Sequence, residues 1–92
     1  MNGGRAPVAL DGPSPLRVTT EQLATVLEAA EIVRSESTVI AGALRILKID
    51  GAFFVQEKTP DGQILLRPRP SSADAAAFVD RRLLAYERMW DG

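Results

Sequence analysis

The stretch "EIVRSESTVI", residues 31–40, decides the fold because it stands between two apolar patterns that both look helical. As a loop it would separate two short helices, and as a helix interior it would join them into one. Apolar positions continue through the stretch in alternating steps of three and four, which is the spacing of one helix face. The positions of this stripe are Leu23, Val26, Ala30, Val33, Ser37, Ile40, Leu44 and Leu47.

The composition of the stretch also favours one continuous helix. It contains no Gly, Pro, Asn or Asp, the residues that usually form a turn between helices. Thr19 followed by Gln22 has the spacing of a capping box, so the helix is predicted to begin there. We therefore predict one helix over residues 19–48, and a kink at Ser35–Thr38 would be compatible with it. The alternative is a loop at "SEST" with a serine that caps a second helix.

A β-hairpin is predicted after this helix. The segments "AFFVQEK" and "QILLRPR" flank "TPDG", in which Pro60 suits the second position of a type I turn. Gly62 suits the left-handed position that follows it. The predicted strands cover residues 52–58 and 63–69, and the prolines of "RPRP" end the second strand because proline cannot donate to a ladder.

The last apolar stripe predicts an amphipathic helix that begins near Ser71. The predicted fold is therefore α+β: a long N-terminal helix, a two-stranded antiparallel β-hairpin and a C-terminal amphipathic helix. The alternative order, α-α-β-β-α, resembles an incomplete winged-helix domain. In that alternative, residues 38–48 form the recognition helix and "KTPDG" forms the wing.

The domain organisation follows from the distribution of glycine and proline. Residues 1–17 are predicted to form a flexible or extended N-terminal arm, and residues 18–92 a single small α+β domain. Val8, Leu10 and Leu16 of the arm are apolar enough to pack on a neighbouring subunit.

Net charge and hydropathy indicate which partners and which cellular compartment to expect. Eleven basic and twelve acidic residues give a net charge of −1, so no overall field attracts nucleic acid or an anionic membrane. No apolar run approaches the ~20 residues that cross a bilayer, and we expect no membrane partner. The absence of an apolar leader predicts a cytoplasmic protein. Abundant arginine and alanine are typical of a bacterial genome of high GC content.

The residue types that are missing argue against catalysis. The chain has no histidine and no cysteine, so it lacks the commonest general base, the commonest metal ligand and any thiol nucleophile. The spacing of its glycines forms neither a phosphate loop nor a dinucleotide fingerprint. We therefore predict that the protein is not an enzyme and binds neither a cofactor nor a metal.

The hairpin predicts self-association. Two consecutive apolar triplets, 53–55 and 64–66, put apolar side chains on both sides of a two-stranded sheet. Two helices of the same chain can cover one side, so a second copy is expected to cover the other. The alternative is that both sides are buried between two helices of the same chain. The predicted oligomer interface is Phe53, Phe54, Val55, Ile64, Leu65, Leu66, Ile40 and Leu44. The predicted anchors for a further protein partner are Tyr86, Met89 and Trp90.

Two functions remain open from the sequence. The first is a homodimeric or higher-order protein-interaction module, namely an adaptor, an assembly factor or an accessory subunit. The second is a winged-helix-like DNA-binding transcriptional regulator. A tight DNA-binding protein makes about 6–10 phosphate contacts, more than this chain supplies, so nucleic acid is the disfavoured partner. The residues that would make such contacts are Arg45, Lys48, Lys58, Arg67 and Arg69.

Overall fold

A five-stranded antiparallel sheet with two helices forms the fold in the computed structural model, which describes residues 14–38 and 40–91. The elements in chain order are β1 (Leu16–Val18), α1 (Thr20–Ala29), β2 (Glu31–Ser37), β3 (Ala43–Ile49), β4 (Ala52–Lys58), β5 (Ile64–Arg69) and α2 (Ser72–Asp91). The order across the sheet is β1-β5-β4-β3-β2, and every neighbouring pair is antiparallel. The predicted fold, a long helix with a two-stranded hairpin, is therefore wrong.

The first helix begins where the sequence predicts and ends much earlier. The Thr19 hydroxyl accepts the backbone N–H of Gln22 at 3.1 Å, and Gln22 Oε1 accepts the backbone N–H of Thr19 at 2.9 Å. This is the predicted capping box. Ala30 then has extended backbone angles, φ −102° and ψ 150°, and the chain continues directly into β2. The continuous helix predicted over residues 19–48 is therefore wrong.

The residues after α1 form two strands instead of the helical stripe. In β2, Arg34 and Glu36 pair with Ile46 and Leu44 of β3, so these four side chains lie on the same side of the sheet. The alternating residues of both strands point to the opposite side. The α-α-β-β-α alternative is wrong as well, because most of the segment proposed as a recognition helix is β3.

The hairpin predicted from "TPDG" is confirmed as β4 and β5, although it is the centre of a larger sheet and not an isolated pair. Its turn is closed by the Gly62 N–H, which donates to the Thr59 carbonyl at 2.9 Å, and Gly62 has φ +90°. A second tight turn at Asp50-Gly51, with φ of 51° and 81°, joins β3 to β4. The predicted C-terminal helix is confirmed as α2.

One face of the sheet packs against α2. The core on this face is Leu44, Ile46, Val55, Ala75, Phe78 and Val79. The opposite face is also buried, at Leu47, Gln56, Ile64 and Leu66. Because β1 and β2 lie at opposite edges, the chain must pass across the sheet between them, through α1. Side chains on both faces of the hairpin are thus buried within one chain, which was the alternative to cover by a second copy.

The predicted N-terminal arm lies mostly outside the described residues, including Val8 and Leu10. Its last part contributes β1, whose residues Leu16 and Val18 pair with Leu66 and Ile64 of β5.

Candidate interaction surface

The sheet has one short edge and one long edge. β1 covers only three residues of one edge, whereas β2 presents seven residues along the other. β2 pairs with β3 on its inner side, from Glu31 opposite Lys48 to Ser37 opposite Ala43. In residues 14–38 and 40–91, no backbone hydrogen bond reaches the outer side of β2. An unpaired strand edge of this length is a template for pairing with another chain.

Exposed apolar side chains border this edge. Ile32 is 50% exposed, and Val33, the extra residue of a β-bulge between Ile32 and Arg34, is 47% exposed. Leu84 of α2 is 48% exposed and lies one helical turn after Asp80, which contacts β2. Leu84 is therefore on the side of α2 that is nearer to β2. We call the residues Ile32, Val33, Arg34, Glu36 and Leu84 the edge surface.

Arg34 links the edge strand to α2. Its Nε donates to Glu36 Oε2 at 2.9 Å, and its Nη2 donates to Asp80 Oδ1 at 2.8 Å. These hydrogen bonds, the one to Glu36 first, raise the pKa of Arg34 above its ordinary value. The three side chains remain 30–64% exposed, and ion pairs of this kind contribute at most about 1 kcal/mol to stability. Their main effect is to hold β2 against α2.

The predicted interface residues of the hairpin lie largely within the chain's own core. Val55, Leu44, Leu66 and Ile64 are between 0% and 8% exposed, so a second chain cannot reach them in this fold. The other four are half-buried, namely Phe53, Phe54, Leu65 and Ile40. Contact of a second copy with these four stays a prediction. The sequence reasoning missed the edge surface because it assigned residues 31–37 to a helix.

The predicted anchors on α2 have different environments. Tyr86 is buried, and its hydroxyl donates to the Glu57 carboxylate. Met89 is 58% exposed and available for contact. The side chain of Trp90 lies outside the described part of the structure.

The basic residues of the DNA-binding alternative do not form one surface. Arg45 and Lys58 lie on the face opposite α2, where Arg45 Nη1 donates to Gln56 Oε1 at 2.7 Å. Lys48, Arg67 and Arg69 belong to the face that carries α2. The structure thus divides these five residues between two sides of the sheet.

A second polar cluster surrounds the buried carboxylate of Glu57, which is 1% exposed. Arg67 donates to Glu57 Oε1 through Nε and Nη2, both at 3.0 Å, and Arg82 Nε lies 3.1 Å from Oε2. The Tyr86 hydroxyl donates to the same Oε2. Burial first, and then this hydrogen bond, raises the pKa of Tyr86 well above its usual range. Two arginines and one tyrosine hydroxyl therefore surround a carboxylate that is almost completely buried.

Phe78 is surrounded by arginines. The guanidinium carbons of Arg82, Arg69, Arg67 and Arg81 lie 4.8, 5.0, 5.2 and 6.0 Å from the centre of its ring. Beside the ring is a half-open depression of about 110 Å³, which we call the Phe78 depression. The residues that line it are Phe78, Arg81, Arg82 and Ala85.

Replacement of Asp74 by Asn tests the ion pair that joins β5 to α2. The Arg69 guanidinium donates to the Asp74 carboxylate, and this bond holds the pKa of Asp74 below its ordinary value of 3.8. A carboxyl whose pKa is lowered by folding stabilises the fold above its unfolded pKa, and this stability is lost as the pH falls through the folded value. We expect Asp74→Asn to lower the melting temperature by a few degrees at neutral pH, measured by circular dichroism.

The same difference in melting temperature should shrink as the pH falls below 3.8. Glu87→Gln, which removes an exposed carboxylate from the same helix, is the matched control. A difference between Asp74→Asn and wild type that does not change with pH would contradict the assignment to the charge.

The described residues also bear on metal binding and on membrane insertion. No group of three or more His, Cys, Asp or Glu side chains in these residues is placed to hold a metal ion. None of their helices is both long and apolar enough to cross a membrane. Comparisons with protein-family models, with curated proteins and with solved structures give no match for the chain.

Proposed function

We propose that the protein is a non-enzymatic, homodimeric protein-interaction module that associates through the edge surface. The observation that carries this proposal is the seven-residue β2 edge, which is unpaired on its outer side within the described residues. Pairing of two such edges would continue the sheet from one copy into the other and would satisfy the outer backbone groups of both strands.

The charge pattern of β2 favours an antiparallel pair of copies. In a two-fold arrangement centred on Ser35, Arg34 of each copy lies opposite Glu36 of the other. Opposite charges directly across a strand pair contribute roughly 0.2–1 kcal/mol, and like charges destabilise it. A parallel arrangement in register would place Arg34 beside Arg34. The two-fold pairing also closes on itself, so it forms a dimer and not an open fibre.

The apolar members of the edge surface would add to the affinity. Ile32, Val33 and Leu84 are each about half exposed, and complete burial of such a side chain contributes ~1.5–3 kcal/mol. Burial of the remaining exposed half of each therefore contributes about 1 kcal/mol. The dimer would then present two copies of Met89 and of α2, which suits an adaptor or an accessory subunit that binds another protein.

Charge reversal in β2 tests the proposal. We expect the unmodified protein to be a dimer by light scattering at micromolar concentration. Arg34→Glu and Glu36→Arg should each shift it towards the monomer, because each puts two like-charge pairs across the two-fold axis. A mixture of the two variants should form dimers again, because all four charges then face opposite charges across the strands.

Mixing the two variants distinguishes a loss of dimerisation from a loss of folding. The Arg34–Glu36 ion pair within each chain is lost in both variants, and mixing does not restore it. Arg17→Glu on the short β1 edge is the control, and its dimer should be unchanged. A monomeric unmodified protein, or a mixture that stays monomeric while both single variants are folded, would contradict association through β2.

A further inference from the structure

The charges around the Phe78 depression are not balanced. Three guanidinium groups near the Phe78 ring, those of Arg67, Arg81 and Arg82, have one carboxylate partner in the described residues, because Arg67 and Arg82 share Glu57. Arg81 forms no hydrogen bond or ion pair in the described ranges. The hydrogen bond from Arg69 lowers the pKa of Asp74, and the charge of Arg81 helps to lower it. Among these three arginines, Arg67, Arg81 and Arg82, two positive charges are therefore in excess.

The two arginines that carry the excess charge line the same depression. Arg82 binds Glu57 through Nε, and within the described residues its terminal NH₂ groups have no acceptor. Arg81 and Arg82 both line the depression, and Ala85 leaves room between them because its side chain is a single methyl group. A guanidinium has five N–H donors in a rigid fork that matches the oxygens of a carboxylate or phosphate.

An aromatic ring alone does not explain this gathering of cations. A cation over a ring is worth about 0.5–1 kcal/mol at an exposed site. Like charges repel one another, and the repulsion grows where protein displaces water. The arginines that lie against the ring therefore repel one another, and an anion in the depression would remove that repulsion.

We propose that the Phe78 depression is a binding site for a phosphate group, held by Arg81 and Arg82. A dianionic phosphate matches the two excess positive charges, whereas a carboxylate would neutralise one. The volume of about 110 Å³ suits a single oxyanion group. It is well below the ~300–1,000 Å³ of pockets that enclose a drug-sized ligand. The site is separate from the edge surface and does not depend on self-association.

Titration with inorganic phosphate tests the site directly. The full-length protein would be titrated at mildly alkaline pH and constant ionic strength, and followed by ¹H–¹⁵N NMR of the backbone and of the arginine Nε–H groups. We expect saturable shifts confined to residues that line the depression, with acetate binding more weakly than phosphate. No saturation by phosphate, or acetate binding as tightly as phosphate, would overturn the proposal.

Variants of the exposed residue Arg81 assign the contact. Arg81→Ala should weaken phosphate binding roughly tenfold or more, because a hydrogen bond to a charged group is worth ~1.5–3 kcal/mol. Arg88→Ala removes one charge from an exposed position of the same helix and should leave the affinity within about twofold of wild type. Equal losses in both variants would show non-specific attraction and would overturn the site.

Substitution of Ala85 gives a second, independent readout. Ala85→Glu would place a carboxylate beside Arg81 and Arg82, so it should abolish phosphate binding and raise the melting temperature above that of Ala85→Gln. Glutamine has the same shape without the charge. If Ala85→Glu melts no higher than Ala85→Gln, the excess positive charge is absent and the proposal fails.

Discussion

Replacement of Glu57 by Gln should lower the free energy of unfolding by about 3 kcal/mol, the lower part of the range for breaking a buried ion pair. The carboxylate is 1% exposed, accepts hydrogen bonds from Arg67 and the Tyr86 hydroxyl, and forms an ion pair with Arg82. Glutamine keeps its shape and removes its charge, which leaves two guanidinium groups without a counter-charge. Arg82 is 30% exposed and remains partly hydrated, which limits the loss.

Urea unfolding followed by circular dichroism measures this loss. Tyr86→Phe removes one hydrogen bond from the same carboxylate and should cost about 1.5 kcal/mol, the lower end of the range for a hydrogen bond to a charged group. Glu87→Gln removes an exposed carboxylate nearby in sequence and should be close to neutral. A loss for Glu57→Gln no larger than that for Tyr86→Phe would contradict the view that this carboxylate holds the two arginines.

The single variants Leu44→Ala and Leu47→Ala should each lower the free energy of unfolding by ~2–5 kcal/mol. The two side chains are 1% and 0% exposed and point to opposite faces of β3. Leu44 packs with α2, and Leu47 is buried on the opposite face. Because they share no cavity, their losses should add in the double variant.

Lys48→Ala, at an exposed position next to Leu47, is the matched control. It removes the contact of the Lys48 ammonium with the Phe53 ring and should cost no more than about 1 kcal/mol. Urea unfolding of the wild type and the four variants at the same concentration provides the comparison. A loss below about 1 kcal/mol for Leu47→Ala would mean that the face opposite α2 is open, and would contradict the burial described above.

Local chemistry in the sequence was sufficient to predict three elements of the fold. The Thr19 capping box, the turn at Gly62 and the start of α2 each depend on residues within one or two turns of one another. Helix caps and tight turns are specified by neighbouring residues, so the printed sequence contains the necessary information. The limits of the hairpin strands were predicted for the same reason.

β2 and β3 could not be placed in the same way, because a strand is stabilised by partners far along the chain. Leu44 and Leu47 fit a helical stripe at a step of three, yet as strand residues they point to opposite faces. The stripe also left out Ile46, which is 2% exposed and belongs to the core. The stretch "EIVRSESTVI" is rich in β-branched residues, which are frequent in strands. This feature of the sequence could have corrected the prediction of a helix.

The prediction of interaction surfaces was affected by the same error, the assignment of β2 and β3 to a helix. The apolar triplets of the hairpin were correctly expected to be covered on both sides, but both sides are buried within one chain. The unpaired edge of β2 can be recognised only once residues 31–37 are known to form a strand. The cluster around Phe78 joins residues of β5 and α2, and no spacing in the sequence indicates that their side chains meet.

The place of β1 beside β5 has a consequence for the order of folding. The strands from β2 to β5 form a meander of neighbours, so each can pair as soon as the next has left the ribosome. β1 is made first, but its partner, which pairs Leu66 with Leu16, emerges about 50 residues later, and closing so long a loop is entropically unfavourable. We therefore expect the N-terminal strand to join a sheet whose other four strands are already paired.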